Sequence, residues 1–216
     1  MRQLAALVEQ RFGRLDVLVC NAGVHGPKGP VEDVDWKQWT QAVNINVMGT
    51  VLCCRTFLPL LRRSKRGKVL LLSGGGATKP MPFLSAYAAS KAAVVRFGET
   101  LAEELRQSSI DVNCIAPGAL NTRMLDDILE AGPEKVGREM YEASLRQKES
   151  GGAPLGRAAE LCVYLASDAA DGITGKLISA VWDPWPELGD HRADLERSDV
   201  YTLRRITPRD RGLAWG

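Results

Sequence analysis

The chain has 216 residues, 45% hydrophobic and 25% charged, with a formal charge of +2. That length suits one sizeable domain with its own core. The near-neutral balance, with no dense Lys/Arg stripe, argues against a nucleic-acid partner, and the tight cluster Arg62-Arg63-Ser64-Lys65-Arg66 reads as a solvated helix end.

Residues 2–12 carry Leu4, Leu7, Val8 and Phe12 on one face and read as a helix ended by Gly13. Leu15 to Cys20 is a short, nearly continuous apolar run, the pattern of a strand buried on both faces. Asn21-Ala22-Gly23 breaks it, and a loop follows through Pro30. One long helix is predicted from about Asp35 to Leu61, with Trp36, Trp39, Val43, Val47 and Val51 at helical spacing. Lys68 to Leu72 reads as a second strand, closed by the loop Gly74-Gly75-Gly76. A helix from about Ser85 to Arg106 has Val94, Phe97, Leu101 and Leu105 as its core stripe, and Ile110 to Ile115 is a third strand ended by Pro117-Gly118. Residues 119–152 read as a helical flap, Ala158 to Ala166 as a helix and Lys176 to Val181 as a last strand. The pattern gives no structure to the tail from Trp182 onward.

No apolar run reads as long enough to cross a membrane, and Met1-Arg2-Gln3-Leu4 does not open a signal peptide. The five cysteines are odd in number and lack CxxC spacing, which fits free thiols in a reducing cytoplasm. His25 and His191 have no ligand spacing to a cysteine, so no metal site is expected.

Strands alternating with helices imply an α/β fold with a parallel sheet covered on both sides, its strand carboxyl ends on one edge. Asn21-Ala22-Gly23, Ser73 and Pro117-Gly118 fall at such ends, where open α/β sheets bind ligands. Tyr87 and Lys91 lie four residues apart in a helix, hence on one face a turn apart. A phenol with a pKa of roughly 10 is a poor proton carrier at neutral pH. A fixed ammonium beside it lowers that value and makes the pair a candidate proton donor and acceptor for a carbonyl or alcohol.

Together these motifs resemble the short-chain dehydrogenase/reductase family. The matching residues are Leu15 to Gly23, Asn44-Ile45-Asn46-Val47-Met48-Gly49, Ser73, Tyr87-Ala88-Ala89-Ser90-Lys91, Pro117-Gly118 with Thr122 and Met124, and Ala166-Ser167-Asp168 with Thr174-Gly175. The resemblance covers residues 2–181 and implies a Rossmann-like, doubly wound domain over 1–181, with 182–216 as a C-terminal extension. It implies an NAD(P)-dependent oxidoreductase moving a hydride between the cofactor and a secondary alcohol or ketone. Tyr87 would be the general acid/base. Lys91 would lower the Tyr87 pKa and hold the nicotinamide ribose, and Asn46 would anchor a water linking Lys91 to solvent. Ser73 would polarise the substrate oxygen. Asn21, Ala22 and Gly23 would line the adenosine-ribose side, and Pro117, Gly118 and Thr122 the nicotinamide end. The flap around Met124, Leu125, Ile128, Leu129, Met140 and Tyr141 would close over the substrate. A homo-oligomer paired through the helices of Asn46 and Tyr87, in the cytoplasm and away from membranes, would also follow.

The pattern is broken in places. Ser73 lies fourteen residues before Tyr87, one more than the family's spacing, which lands on Gly74; Thr78 and Ser85 are alternative hydroxyls. Family members begin with a strand, a Gly-rich turn and a helix that seats the pyrophosphate, followed by two strands that select NAD or NADP. This chain enters the pattern at the third helix, lacking the first βαβαβ half. Leu15–Cys20 is then expected to form a bare apolar edge and the chain alone to bind a dinucleotide weakly or not at all. A non-catalytic derivative serving as a binding or oligomerisation module is the alternative. Trp182 and Trp185 either wall the active site or plug a gap, and the tail with Arg204, Arg205 and Arg209 either covers an oligomer surface or is disordered.

Overall fold

A computed structural model describes residues 1–215. At its centre is a parallel sheet of four strands in the order β1 (Val17–Cys20), β2 (Gly67–Leu72), β3 (Ile110–Ala116) and β4 (Lys176–Ser179). The register pairs Val17 with Lys68, Gly67 with Ile110 and Asn113 with Lys176. The central strands β2 and β3 are buried along nearly their whole length, as their apolar sequences require.

The first helix, α1 (Arg2–Phe12), stops where Gly13 takes a left-handed conformation and its N–H bonds to Glu9 O at 2.9 Å. The helix predicted over Asp35–Leu61 begins as expected, with the Asp35 carboxylate accepting from Gln38 N at 2.7 Å. Its interior differs from the expectation. It consists of α2 (Trp36–Val43), a π-helical turn over Asn44–Met48, and α3 (Gly49–Leu61). Within the 26-residue helical segment Trp36–Leu61 an 18-residue window has a mean hydropathy of 1.3, long and apolar enough, on those two criteria, to cross a bilayer. That corrects the sequence reading, although part of the segment is core: Ala42, Cys54, Phe57, Leu60 and Leu61 are buried within the domain.

Helices cover both faces of the sheet, as a doubly wound fold demands. On one face α3 and α4 (Ser85–Glu104) bring Cys54, Leu61, Val94 and Leu101 onto Val69, Leu71 and Val112. On the other, α8 (Leu155–Ala166) brings Ala158, Leu161 and Leu165 onto Leu70, Ile115 and Ile178. The flap is α5 (Arg123–Ala131), α6 (Pro133–Val136) and α7 (Arg138–Ser150). All five cysteines are free, with Cys54 and Cys114 buried.

The tail belongs to the second core. Trp185 and Leu188, from a 3₁₀ turn over Trp185–His191, and Leu195, from α9 (Arg192–Arg197), pack with the α8 cluster. Trp185 also stands 5.6 Å from the Tyr164 ring and donates to Ala180 O at 3.1 Å. Strand β4 ends at Ser179 rather than Val181 because the Ser179 hydroxyl turns the chain, accepting from Val181 N and Trp182 N. On the outer edge of β4 the N–H of Leu177 donates to Tyr201 O at 2.8 Å and that of Ser179 to Asp183 Oδ2 at 2.7 Å. At the opposite edge β1 has no strand partner outside it among the described residues. Val19 is 46% exposed there, and α1 buries none of its residues.

At the amino ends of the strands, Lys68 is buried between Asp111 at 3.0 Å and Asp171 at 2.6 Å. Arg66 grips the same Asp111 with two bonds of 2.8 Å. This network lies at the far end of the sheet from the groups described next.

Candidate active site

Helix α4 begins near the carboxyl ends of β1, β2 and β3 and carries Tyr87 and Lys91 on one face. Lys91 Nζ stands 5.8 Å from the centre of the Tyr87 ring and donates to Leu72 O, the last residue of β2, at 2.8 Å. Asn46 is buried in the π-helical turn. Its amide donates to Val24 O at 2.9 Å and Ser90 Oγ at 2.8 Å, while its Oδ1 accepts from Val24 N at 2.9 Å. Ser90 in turn donates to Tyr87 O at 2.8 Å. The π turn is thus the local distortion that swings one asparagine between the loop after β1 and the helix bearing Tyr87.

The charges differ from the sequence expectation. Burial pushes the Tyr87 phenol above its ordinary value near 10, with no charge offsetting it, and pushes the Lys91 ammonium down to about 8. The expected lowering of Tyr87 by Lys91 is absent from this geometry. The ammonium is turned to the Leu72 carbonyl, and burial disfavours the charged form of both groups.

Gly23 packs against this group: a Cβ there would come within 3.2 Å of Lys91 Nζ and 3.4 Å of Asn46 Oδ1, so glycine lets the ammonium and the amide lie close to the backbone. Asn21 and Ala22, beside it, are exposed at the end of β1. Across the edge, Gly118 has φ +92° and a Cβ there would meet Val181 at 2.6 Å, so the chain after Pro117 turns where only glycine fits. Thr122 precedes α5 without making a side-chain cap bond.

Ser73 is the residue the fold does not deliver. Its Oγ is buried and makes no hydrogen bond to Tyr87 or to any other group among the described residues. The chain is still extended here, with Ser73 N bonded to Ile115 O and Gly74 at φ −176° and ψ 172°. Successive side chains therefore point to opposite sides. The direction that faces the phenol belongs to Gly74, where a Cβ would lie 2.2 Å from the Tyr87 oxygen. The position that the family's spacing selects is therefore the one that meets the phenol, and as Gly74 it carries no hydroxyl. Of the alternatives, Ser85 is engaged as acceptor from Trp39 Nε1 at 3.1 Å.

The fold adds His25, which the sequence offers only as a histidine without metal-ligand spacing. Its ring stands edge-on to Tyr87, centroids 4.8 Å apart at 81°. It is 8% exposed, and its Nδ1 has no partner. Burial, then the charge of Lys28, bring its pKa down to about 4. The signal in the sequence was position alone, two residues after Asn21-Ala22-Gly23. From the flap, Ile128, Met140 and Tyr141 pack with Tyr87, Leu84 and Met81. The two tryptophans separate: Trp185 plugs the core, while Trp182 is 84% exposed.

A protein-family model described as Enoyl-(Acyl carrier protein) reductase matches residues 1–180. Dehydrogenase/reductase SDR family member 4 of Sus scrofa is 32% identical over 176 residues, covering 82% of this chain and 61% of its own length. The chain thus spans about three-fifths of the curated relative it matches. A short-chain dehydrogenase/reductase structure from Saccharomyces cerevisiae superposes with a TM-score of 0.74 at 30% identity, covering 85% of this chain and 72% of that one. A protein of Escherichia coli CFT073, described as a short-chain dehydrogenase and complexed with NADPH, gives 0.69 at 28% identity, covering 83% and 68%.

Proposed function

This chain belongs to the short-chain dehydrogenase/reductase family, and from that membership we propose that it is an NAD(P)-dependent oxidoreductase acting on a secondary alcohol or ketone, with Tyr87 as the acid/base. The observation that carries the reading is the meeting of Tyr87, Lys91 and Asn46 at the carboxyl edge of the sheet, tied through Ser90.

The residues present fit the ribose and nicotinamide end of the cofactor: the Lys91 ammonium is fixed at the carboxyl end of β2 by Leu72 O, with Asn21 and Ala22 exposed at the end of β1. Lys91 would hold the ribose, with Asn21, Ala22 and Gly23 on one side and Pro117, Gly118 and Thr122 on the other. When bound, the cofactor supplies or accepts the hydride. The phenol, held protonated by burial, gives its proton to the carbonyl oxygen in the reductive direction. Asn46 keeps the Val24 loop and α4 in register so that the phenol and the ammonium stay together. Ile128, Met140 and Tyr141 shield the ring from water. A homo-oligomer is part of the reading, supported by Met48 and Leu52, exposed at 57% and 49% on the helical segment that carries Asn46.

The test is reduced-coenzyme oxidation with a panel of ketones, using NADH and NADPH in turn at high concentration, for the wild type and Tyr87→Phe. Turnover by the wild type should need coenzyme at high concentration, in keeping with the weak dinucleotide binding expected of this chain, and the variant should lose about 10²–10⁴-fold in rate while unfolding at the same temperature. A variant as fast as the wild type would remove Tyr87 from the chemistry.

A further inference from the structure

His25 lies on a short clamped segment of the loop after β1. Before it, Val24 is fixed through both its N–H and its carbonyl by the Asn46 side chain. After it, Gly26 is wedged between helices: with φ +74°, a Cβ there would lie 2.6 Å from Ala42 Cβ and 3.4 Å from Ala86 Cβ. Gly29 N then bonds to Phe83 O at 2.9 Å. The imidazole is thus locked on both sides and held edge-on against the ring of Tyr87. A clamped side chain with a defined orientation can read a ligand, because little freedom is lost when it does so.

That side chain carries an unmet demand. Nδ1 is buried and has neither a protein donor nor a protein acceptor. A buried polar atom left alone costs free energy that a partner recovers. No hydrogen bond joins His25 to the phenol, so Nδ1 is not spent on the Tyr87 oxygen. Lys28 of the loop, Asp127 of the flap and Lys91 of α4 are the charged groups that act on His25.

The geometry points to His25 as a specificity-determining residue that hydrogen-bonds, through Nδ1, a hydroxyl on the carbon next to the reacting one, so that hydroxy ketones and vicinal diols are favoured over plain ketones and alcohols. A hydroxyl meets the need in either tautomer of the imidazole, since it can both donate and accept. A carbonyl or an ether meets only one. This inference rests on the alcohol/ketone reading above and names the substrate class of that site.

The test compares acetoin with 2-butanone, which differ by one hydroxyl. In the wild type, kcat/KM for acetoin should exceed that for 2-butanone by about tenfold or more. His25→Phe should bring the ratio to about one, and His25→Asn, whose amide can reach the place of Nδ1, should keep most of it. A ratio unchanged in His25→Phe overturns the inference, as does a wild type that shows no preference. A second readout needs no turnover: the imidazole ¹⁵N resonances of the wild type, with His191, 59% exposed, as the internal reference. Acetoin should move the His25 Nδ1 resonance and 2-butanone should not. If that shift appears without coenzyme oxidation, the recognition stands and the hydride-transfer reading falls. Turnover of both ketones with no differential shift sinks the recognition and leaves the oxidoreductase intact.

Discussion

Gly74→Ala probes the contact on which the placement of the phenol depends. A Cβ at this position lies 2.2 Å from the Tyr87 oxygen and 3.0 Å from Cζ. Ordinary contact needs roughly 3.5 Å, so the phenol oxygen must retreat by more than an ångström. The backbone is not the obstacle, because Gly74 is extended and any residue can adopt that conformation. A shift of about 1 Å in a catalytic group costs on the order of 10²-fold in rate. Overpacking adds about 1–3 kcal/mol of destabilisation. Tyr87→Phe removes the atom at 2.2 Å and leaves the one at 3.0 Å, only a few tenths short of contact. Gly74→Ala should therefore cost about 1–2 kcal/mol less in the Tyr87→Phe background than alone, a coupling well outside the additivity of independent sites. The assay is thermal or urea unfolding of the wild type, both single variants and the double variant, in which about 1 kcal/mol reads as ~2–4 °C for a domain of this size. Penalties equal within ~0.5 kcal/mol in the two backgrounds would show that the phenol does not rest against Gly74, and the account of why Ser73 is out of register would fall with it.

Two pH-linked predictions follow from the buried charges. Lys91 has a folded pKa near 8 against 10.5 when free, so between those values the unfolded chain holds a proton the folded chain has released, and stability rises with pH across that window. Lys91→Met removes this ammonium from beside Tyr87, His25 and Cys114; its gain over the wild type in urea midpoint should be largest below pH 8 and shrink toward pH 10.5, and a constant difference would refute the buried-ammonium account. Burial opposes ionisation of Asp111, yet its bonds to Arg66 and Lys68 outweigh that and hold its pKa below the ordinary 3.8, so its contribution is present above that value and lost as pH falls through the folded one. Asp111→Asn should cost roughly 2–4 kcal/mol at neutral pH and flatten the acid limb of the stability curve, and a variant as stable as the wild type would rule out the network as a structural tie.

Much of this was legible in the chain. Val, Leu and Ile runs bounded by Gly and Pro located all four strands within one or two residues, because parallel strands buried on both faces leave little choice of composition. The four-residue interval put Tyr87 and Lys91 on one face without tertiary information. The interval between Ser73 and Tyr87 also hinted at trouble, since the count fell on Gly74. What stayed hidden depends on partners far away in sequence. The π turn exists because Asn46 must reach Val24 and Ser90 at once, and no local pattern encodes that demand. The sign of the Tyr87 shift was missed because spacing reveals a neighbouring ammonium but not how much water burial removes. His25 becomes notable only when the loop after β1 is laid on α4. The tail escaped notice because its anchors, Trp185, Leu188 and Leu195, are thinly spread among charged residues and match neither a helical nor a strand period over any useful length.

The two margins of the sheet have different fates. Along β4 the chain has used its own later residues to quench the outward-facing donors of Leu177 and Ser179, while along β1 the ladder is unfinished. A strand laid against β1, from this polypeptide or from another, would continue the ladder, whereas the donors outside β4 are already taken, so the sheet can be extended in one direction only.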